Sequence, residues 1–143
     1  MFLGEYEHSV DSKSRIAVPA KFRTQLEGGL VVTRGFERCL QVYPMDQWQA
    51  LSERVSGLSL GSTEARQLRR LLFASAFDTE VDKQGRILLP ANLREYAGIG
   101  DEAVVAGMNT YFEIWSKADW DAAMSELDES GSAIAAQMAE IGI

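Results

Sequence analysis

Apolar and polar positions change rhythm several times over the first part of the chain, and the same succession of rhythms returns in the second part. Residues 2–10 include β-favouring aromatics and end on Val10. Asp11-Ser12-Lys13-Ser14 are turn formers, and Arg15-Ile16-Ala17-Val18 reads as a short strand. Pro19 suits the first position of a helix, because its missing N–H would have no intrahelical partner there. Phe22 and Leu26 share a face at i, i+4, and Gly28-Gly29 stops that helix. Leu30-Val31-Val32-Thr33 and Cys39-Leu40-Gln41-Val42-Tyr43 read as a hairpin around Gly35. Pro44 opens a second helix with the apolar stripe Trp48, Leu51, Val55. The unit is β-turn-β-α-β-β-α.

The unit occurs twice. Phe2, Val10, Asp11, Arg15, Ile16, Pro19, Ala20 and Arg23 return as Phe73, Val81, Asp82, Arg86, Ile87, Pro90, Ala91 and Arg94, at an offset of 71. One inserted residue moves the offset to 72, where Val32, Gly35, Leu40, Val42, Tyr43 and Trp48 match Val104, Gly107, Phe112, Ile114, Trp115 and Trp120. Gly85 stands where the first copy has Ser14, Gly98 and Gly100 end the short helix, and Met108-Asn109-Thr110 forms the hairpin tip. Ser116 with Asp119 resembles a capping box at the start of the last helix. The expected organisation is a first unit over 1–55, a linker and connecting helix over 56–72, a second unit over 73–129 and a tail over 130–143. In the connecting helix, Ala65, Leu68, Leu71 and Leu72 fall to one side and Arg66, Arg69, Arg70 toward the other. Those arginines read either as a solvated face or as partners for the acidic C-terminal helix of the same or a neighbouring chain. In the tail, Ile134, Met138 and Ile141 give a weak amphipathic stripe.

Composition narrows the function classes. With 143 residues, 46% hydrophobic and 24% charged, the chain is an ordinary globular one rather than a disordered or collagenous one. No apolar run is long enough to span a bilayer, and the N-terminus turns acidic where a signal peptide needs its apolar core. One cysteine, Cys39, excludes an internal disulfide and fits a reducing compartment. The expected location is cytoplasmic. His8 is the only histidine and Cys39 the only cysteine, so neither a Cys/His nucleophile pair nor a transition-metal cluster is complete. His8 reads as an ordinary strand residue and Cys39 as a small core hydrophobe. No phosphate-binding glycine fingerprint occurs. The expectation is no enzyme, no catalytic residue, no metal, no cofactor and no small-molecule substrate.

The net charge of −7 looks hostile to nucleic acid, yet its distribution is uneven. Residues 1–95 carry 13 basic and 12 acidic groups, whereas 96–143 carry Lys117 against nine acids. The acidity therefore belongs to the C-terminal third, and a local basic cluster elsewhere can still hold phosphates. Such clusters coincide with the repeated turns: residues 11–23 are net +3 and residues 82–94 net +2. Asp11-Ser12-Lys13-Ser14-Arg15 and Asp82-Lys83-Gln84-Gly85-Arg86 share the pattern Asp-x-x-x-Arg, followed by Ile, two apolar residues and Pro-Ala. An Asp can hold such a turn by accepting its N–H groups, leaving the Arg as a planar fork for phosphates or guanine edges. The alternative from the same residues is an Asp–Arg ion pair within each turn, repeated only because the unit is duplicated.

At these residues the sequence resembles the MraZ family, built of two SpoVT/AbrB-type units. The resemblance rests on the paired Asp-x-x-x-Arg motifs, on Ile-x-x-Pro-Ala after each, and on the opening Met1-Phe2-Leu3-Gly4-Glu5-Tyr6. It covers residues 1 to about 125 and does not specifically match the tail. The resemblance implies an α+β fold in which the two units interleave their hairpins into one pseudo-twofold barrel with flanking helices. It also implies a cytoplasmic, nucleoid-associated bacterial transcription regulator and ring-like homo-oligomers. Such a regulator would bind double-stranded DNA at direct repeats upstream of the division and cell-wall gene cluster, with no membrane partner. By carry-over, Arg15 and Arg86 contact DNA and Asp11 and Asp82 shape the turns. Lys13 and Lys83 join the contacts by charge and position, with Lys21, Arg23 and Arg94 as further phosphate contacts. Two other classes compete: an AbrB-type antitoxin that binds DNA and a toxin, and an oligomeric protein-interaction scaffold.

Overall fold

The computed structural model describes residues 1–143. The first unit contains β1 (Glu5–Ser9), β2 (Arg15–Ala17), α1 (Ala20–Arg23), β3 (Leu30–Arg34), β4 (Leu40–Pro44) and α2 (Met45–Ser56). A connector follows, α3 (Thr63–Arg69) running into a π-helical turn, Arg70–Ala74. The second unit contains β5 (Phe77–Thr79), β6 (Arg86–Leu88), α4 (Ala91–Tyr96), β7 (Glu102–Gly107), β8 (Phe112–Ser116) and α5 (Lys117–Glu129), with α6 (Gly131–Glu140) in the tail. No helix is long and apolar enough to cross a membrane.

Local chemistry sets the ends of these elements. Pro19, Pro90 and Pro44 take extended ψ angles of 136°, 147° and 155°, so each is the cap before its helix. The expectation of Pro19 as the first helical residue is therefore off by one, since an extended ψ keeps it outside the helix. Ser116 Oγ accepts from Asp119 N at 3.1 Å and caps α5, and Ser62 Oγ does the same for α3 through Ala65 N at 3.2 Å. In the wide π turn, Leu72 presents its carbonyl to the buried Thr33 hydroxyl, which donates at 2.7 Å and ties the connector to β3.

The six-stranded sheet has the order β1-β7-β8-β4-β3-β5, every contact antiparallel. Exchanging the two units leaves this order unchanged, which makes the sheet pseudo-twofold. Its axis passes where Gln41 faces Glu113, with Leu40 opposite Ile114 and Val42 opposite Phe112. A separate ribbon of β2 against β6 repeats the symmetry around Ile16 and Ile87, with Arg15 opposite Leu88 and Ala17 opposite Arg86. Each hairpin stays within its own unit, while the first strand of each unit pairs with the other unit's hairpin: β1 with β7, β5 with β3. The sheet ends at β1 and β5, so its hydrogen bonds do not close a barrel.

The core lies on this axis. Ile16, Val18, Phe22, Leu26, Leu30, Val32, Leu40 and Val42 from the first unit form one cluster with Ile87, Leu89, Leu93, Phe112 and Ile114 from the second. Phe22 touches Phe2, Tyr6 and Phe112 at ring separations of 5.0, 5.5 and 5.3 Å. The repeat partners Val18 and Leu89, and Phe22 and Leu93, are all buried in it. One shared core serves both units, which gives either unit alone a large apolar face to expose.

Candidate nucleic-acid interface

The two Asp-x-x-x-Arg turns have the same internal bonding. Asp11 Oδ1 accepts from Lys13 N at 2.8 Å and Arg15 N at 2.9 Å; Asp82 Oδ1 accepts from Gln84 N and Arg86 N, both at 2.9 Å. Backbone bonds close each loop, from Ser14 N to Asp11 O and from Gly85 N to Asp82 O, both 3.0 Å. The fourth residue of each turn is left-handed, φ +60° at Ser14 and +76° at Gly85. The N–H of Arg15, then that of Lys13, holds the Asp11 carboxyl below its ordinary pKa against the opposing effect of partial burial. The Arg86 and Gln84 N–H groups do the same for Asp82. Both carboxylates are therefore ionised acceptors at neutral pH, as turn-shaping roles require.

The β2–β6 ribbon sets the turns side by side. Val18 N donates to Gly85 O and Leu89 N to Ser14 O, both at 2.8 Å, so each strand reaches into the other unit's turn. Arg86 Nη1 pairs with Asp11 Oδ2 at 2.9 Å, and Arg15 Nε approaches Asp82 Oδ2 at 3.8 Å. A pair inside one turn, Arg86 with Asp82, is present at 3.4 Å. The ion pairing expected within each turn thus runs chiefly between turns. Arg15, Arg86, Asp11 and Asp82 each keep about a third of their side-chain surface exposed, and Lys13 and Lys83 are exposed. Pairs this exposed hold orientation at little energetic cost to break, so a phosphate or base edge can compete for the guanidinium.

The other three basic residues differ among themselves. Lys21 is exposed on α1. Arg23 donates from Nε to Val18 O at 2.9 Å, and its guanidinium lies over Gly85: a Cβ there would stand 2.3 Å from Arg23 Cζ. Arg94 is half-buried and donates to Ile99 O at 3.0 Å, Gly100 O at 2.8 Å and Ser14 Oγ at 2.7 Å. Arg23 and Arg94 are thus seated on the opposite unit's turn, Arg23 over Gly85 and Arg94 on Ser14. In this geometry Arg94 is a brace, with Nε, Nη1 and Nη2 each donating once. The sequence reading missed the cross-turn bracing; its only signal was Gly85 standing where the first copy has Ser14.

Outside the turns, the two residues weighed for chemistry differ in setting. Cys39 is buried and its thiol is pushed up in pKa by burial and by Glu113 beside it. His8 is half-buried in β1, with its pKa lowered first by burial and then by Arg23.

A family model described as "MraZ protein, putative antitoxin-like" matches this chain twice, over residues 1–71 and 72–141. The chain belongs to the MraZ family. Proteins named "Transcriptional regulator MraZ" resemble it over nearly full length. That of Roseiflexus castenholzii is 52% identical over 141 residues, 99% of each chain. That of Herpetosiphon aurantiacus is 50% identical over 143 residues, 100% of each, and that of Halothermothrix orenii 46% over 143, 100% of each. The two family matches meet between Leu71 and Leu72, inside the π turn, and each contains one Asp-x-x-x-Arg turn. The internal repeat is thus the repeat of the MraZ family itself.

Proposed function

We propose that the chain is a sequence-specific DNA-binding regulator of transcription that reads direct repeats upstream of its own operon, the division and cell-wall cluster, through its two Asp-x-x-x-Arg turns. It acts in the cytoplasm on the nucleoid, as a ring-like homo-oligomer and without catalysis or cofactor. The observation that carries this reading is the pairing of the turns. Two loops with the same internal bonding, each held by an ionised Asp, are locked into one unit by reciprocal Arg–Asp contacts. Arg15 and Arg86 supply forks to base edges or phosphates, Lys13 and Lys83 supply solvated charge, and the aspartates fix the loops. Lys21, Arg23 and Arg94 add phosphate contacts, Arg94 also bracing Ser14. The names of the relatives support regulation of transcription as the outcome.

The test is a titration against the chain's own upstream DNA and a scrambled duplex at two salt concentrations. Arg15→Ala with Arg86→Ala abolishes preference for the native duplex while circular dichroism and solution mass stay unchanged. Each lost base contact costs about 1–3 kcal/mol of discrimination. Each lost phosphate contact lowers the salt slope by roughly 0.9. A folded double variant that binds the native duplex as well as wild type removes the turns from the reading role.

A further inference from the structure

One end of the molecule carries an apolar stripe that the fold leaves bare. Trp120, Met124, Leu127, Gly131, Ile134, Met138 and Ile141 recur at alternating steps of four and three through α5 and α6. Within each helix that spacing keeps them on one face, the kind of seam that packs against a partner, and the two helices meet at Ser130. The inner end is used: Trp120 packs edge-on against Trp115 at 5.8 Å and donates to Glu5 Oε2 at 2.9 Å. The outer end is not. Leu127, Ile134, Met138 and Ile141 are exposed, Ile141 to 73%, and no residue of α6 is buried. The flanks of this seam are acidic: residues 117–143 hold Lys117 against six carboxylates, and only Asp121 among the six has an ion-pair partner.

A second bare surface has the opposite charge. In the linker after α2, Leu58 and Leu60 are exposed, Leu60 to 69%. The guanidinium groups of α3 fold directly under them: Arg69 donates to Ser56 O and Leu58 O at 3.0 and 2.8 Å, and Arg66 to Leu60 O at 2.7 Å. Arg70, the next residue along the chain, is exposed. These hydrogen bonds to carbonyls fix the arginines without neutralising them, because none of the three has a carboxylate partner.

We infer that the α5–α6 seam of one copy docks on the Leu58–Leu60 linker and α3 arginines of a second copy. The seam supplies apolar side chains with carboxylate flanks, and the linker supplies apolar side chains on a cationic bed, so the two surfaces complement each other and each repels its own kind. The contact is head-to-tail, and every copy keeps one free surface of each type until a ring closes. The inference rests on the self-association proposed above and adds the surfaces that mediate it. It also places the acidic third of the chain in protein contacts, away from the turns.

Mixing two blocked variants tests it. Ile134→Asp with Met138→Asp blocks the seam, and Leu58→Asp with Leu60→Asp blocks the linker. All four positions lie on the surface, so thermal melts by circular dichroism stay close to wild type. Expected is a wild-type solution mass several times the 15.8 kDa of one chain, with each variant alone at the single-chain mass. An equimolar mixture then gives a two-chain species and nothing larger, since one intact seam meets one intact linker. A mixture that stays at the single-chain mass, or a linker variant that assembles like wild type, overturns the surfaces while leaving self-association in place. A wild type at the single-chain mass overturns self-association too, and leaves the DNA titration as the separate test of the turns.

Discussion

The two halves of the molecule are the same along the pseudo-twofold axis and different at its margins. On the axis, Ile16 faces Ile87, Gln41 faces Glu113, and the two turns share bonding to within 0.1 Å. At the margins the repeat partners part company. Phe2 lies in the core and bridges Asn109 at the tip of β7–β8, whereas its counterpart Phe73 sits in the π turn and packs on Trp48 at 5.8 Å. The tip of β3–β4 is covered instead by Tyr96, whose hydroxyl donates to Gly35 O at 3.0 Å and whose ring carries Arg34 at 3.9 Å. Positions that must match a copy of themselves across the axis keep shape and polarity together. Positions that meet a different neighbour are free to change.

The glycines at the two hairpins test this most severely. Gly35 and Gly107 are repeat partners. A Cβ on Gly107 would stand 2.4 Å from Phe2 O and 2.6 Å from Leu3 N, all backbone. A Cβ on Gly35 would meet one side-chain atom hard, Cys39 Sγ at 2.6 Å, and the Cys39 carbonyl oxygen at a tight but milder 3.2 Å. Gly107→Ala is therefore expected to push the N-terminal arm off β7 and cost about 3 kcal/mol, against about 1 kcal/mol for Gly35→Ala. Denaturant midpoints of the two variants decide it, and equal losses would mean that the arm is not part of the folded unit.

A smaller effect separates the turns. Gly85→Ala adds strain at φ +76° and a Cβ within 2.7 Å of the Arg23 guanidinium, which is flexible and can move. The expected loss is about 1–2 kcal/mol. Ser14→Gly relieves a non-glycine φ of +60° but removes the hydroxyl that receives Arg94 Nη1 at 2.7 Å, so its net change is within about 0.5 kcal/mol. Gly85→Ala combined with Arg23→Ala should regain part of the loss. Thermal melts of the three variants measure this, and no recovery would show that strain rather than contact sets the cost.

Much of the axis was legible in the sequence. The repeat offset fixed which residues must be equivalent, and the Asp-x-x-x-Arg spacing placed an Asp where it could accept two N–H groups of its own turn. What stayed hidden are relations between elements far apart in the chain. The crossing of Arg86 to Asp11 and of Arg94 to Ser14 depends on β2 meeting β6, and short strands of three residues carry too little pattern to announce their partner. The exchange of β1 and β5 is equally silent, because alternation tells which face is buried and not which edge is shared. The π turn holds the Leu72 carbonyl that accepts from Thr33, and a partner 39 residues away leaves no local signal in the sequence.

Another small effect, set by pH, lies on the axis itself, where the halves differ by one charge. Gln41 and Glu113 face each other in register and are repeat partners at an offset of 72. Burial pushes the Glu113 carboxyl above its ordinary pKa, and Glu37 nearby adds to this, while hydrogen bonds from Trp115 Nε1 at 3.0 Å and Cys39 Sγ at 3.8 Å work the other way. An acid raised in the folded state keeps its proton to higher pH there than in the unfolded chain. Its ionisation therefore costs nothing below the ordinary glutamate range. The penalty enters as pH rises from that range through the raised folded value, and is complete above it. Glu113→Gln makes the two halves alike at this position, keeps an acceptor for Trp115 and removes the charge. It should stabilise the protein near neutral pH by under about 1 kcal/mol. The gain should shrink to nothing, or reverse slightly through the weaker hydrogen bond, as pH falls below 4.5, the ordinary value. Paired denaturant titrations of variant and wild type across that range isolate this group, since all others cancel in the difference. A gain that is independent of pH would place its origin in packing, and a loss at neutral pH would mean that the Trp115 and Cys39 hydrogen bonds to the carboxylate outweigh the cost of burying it.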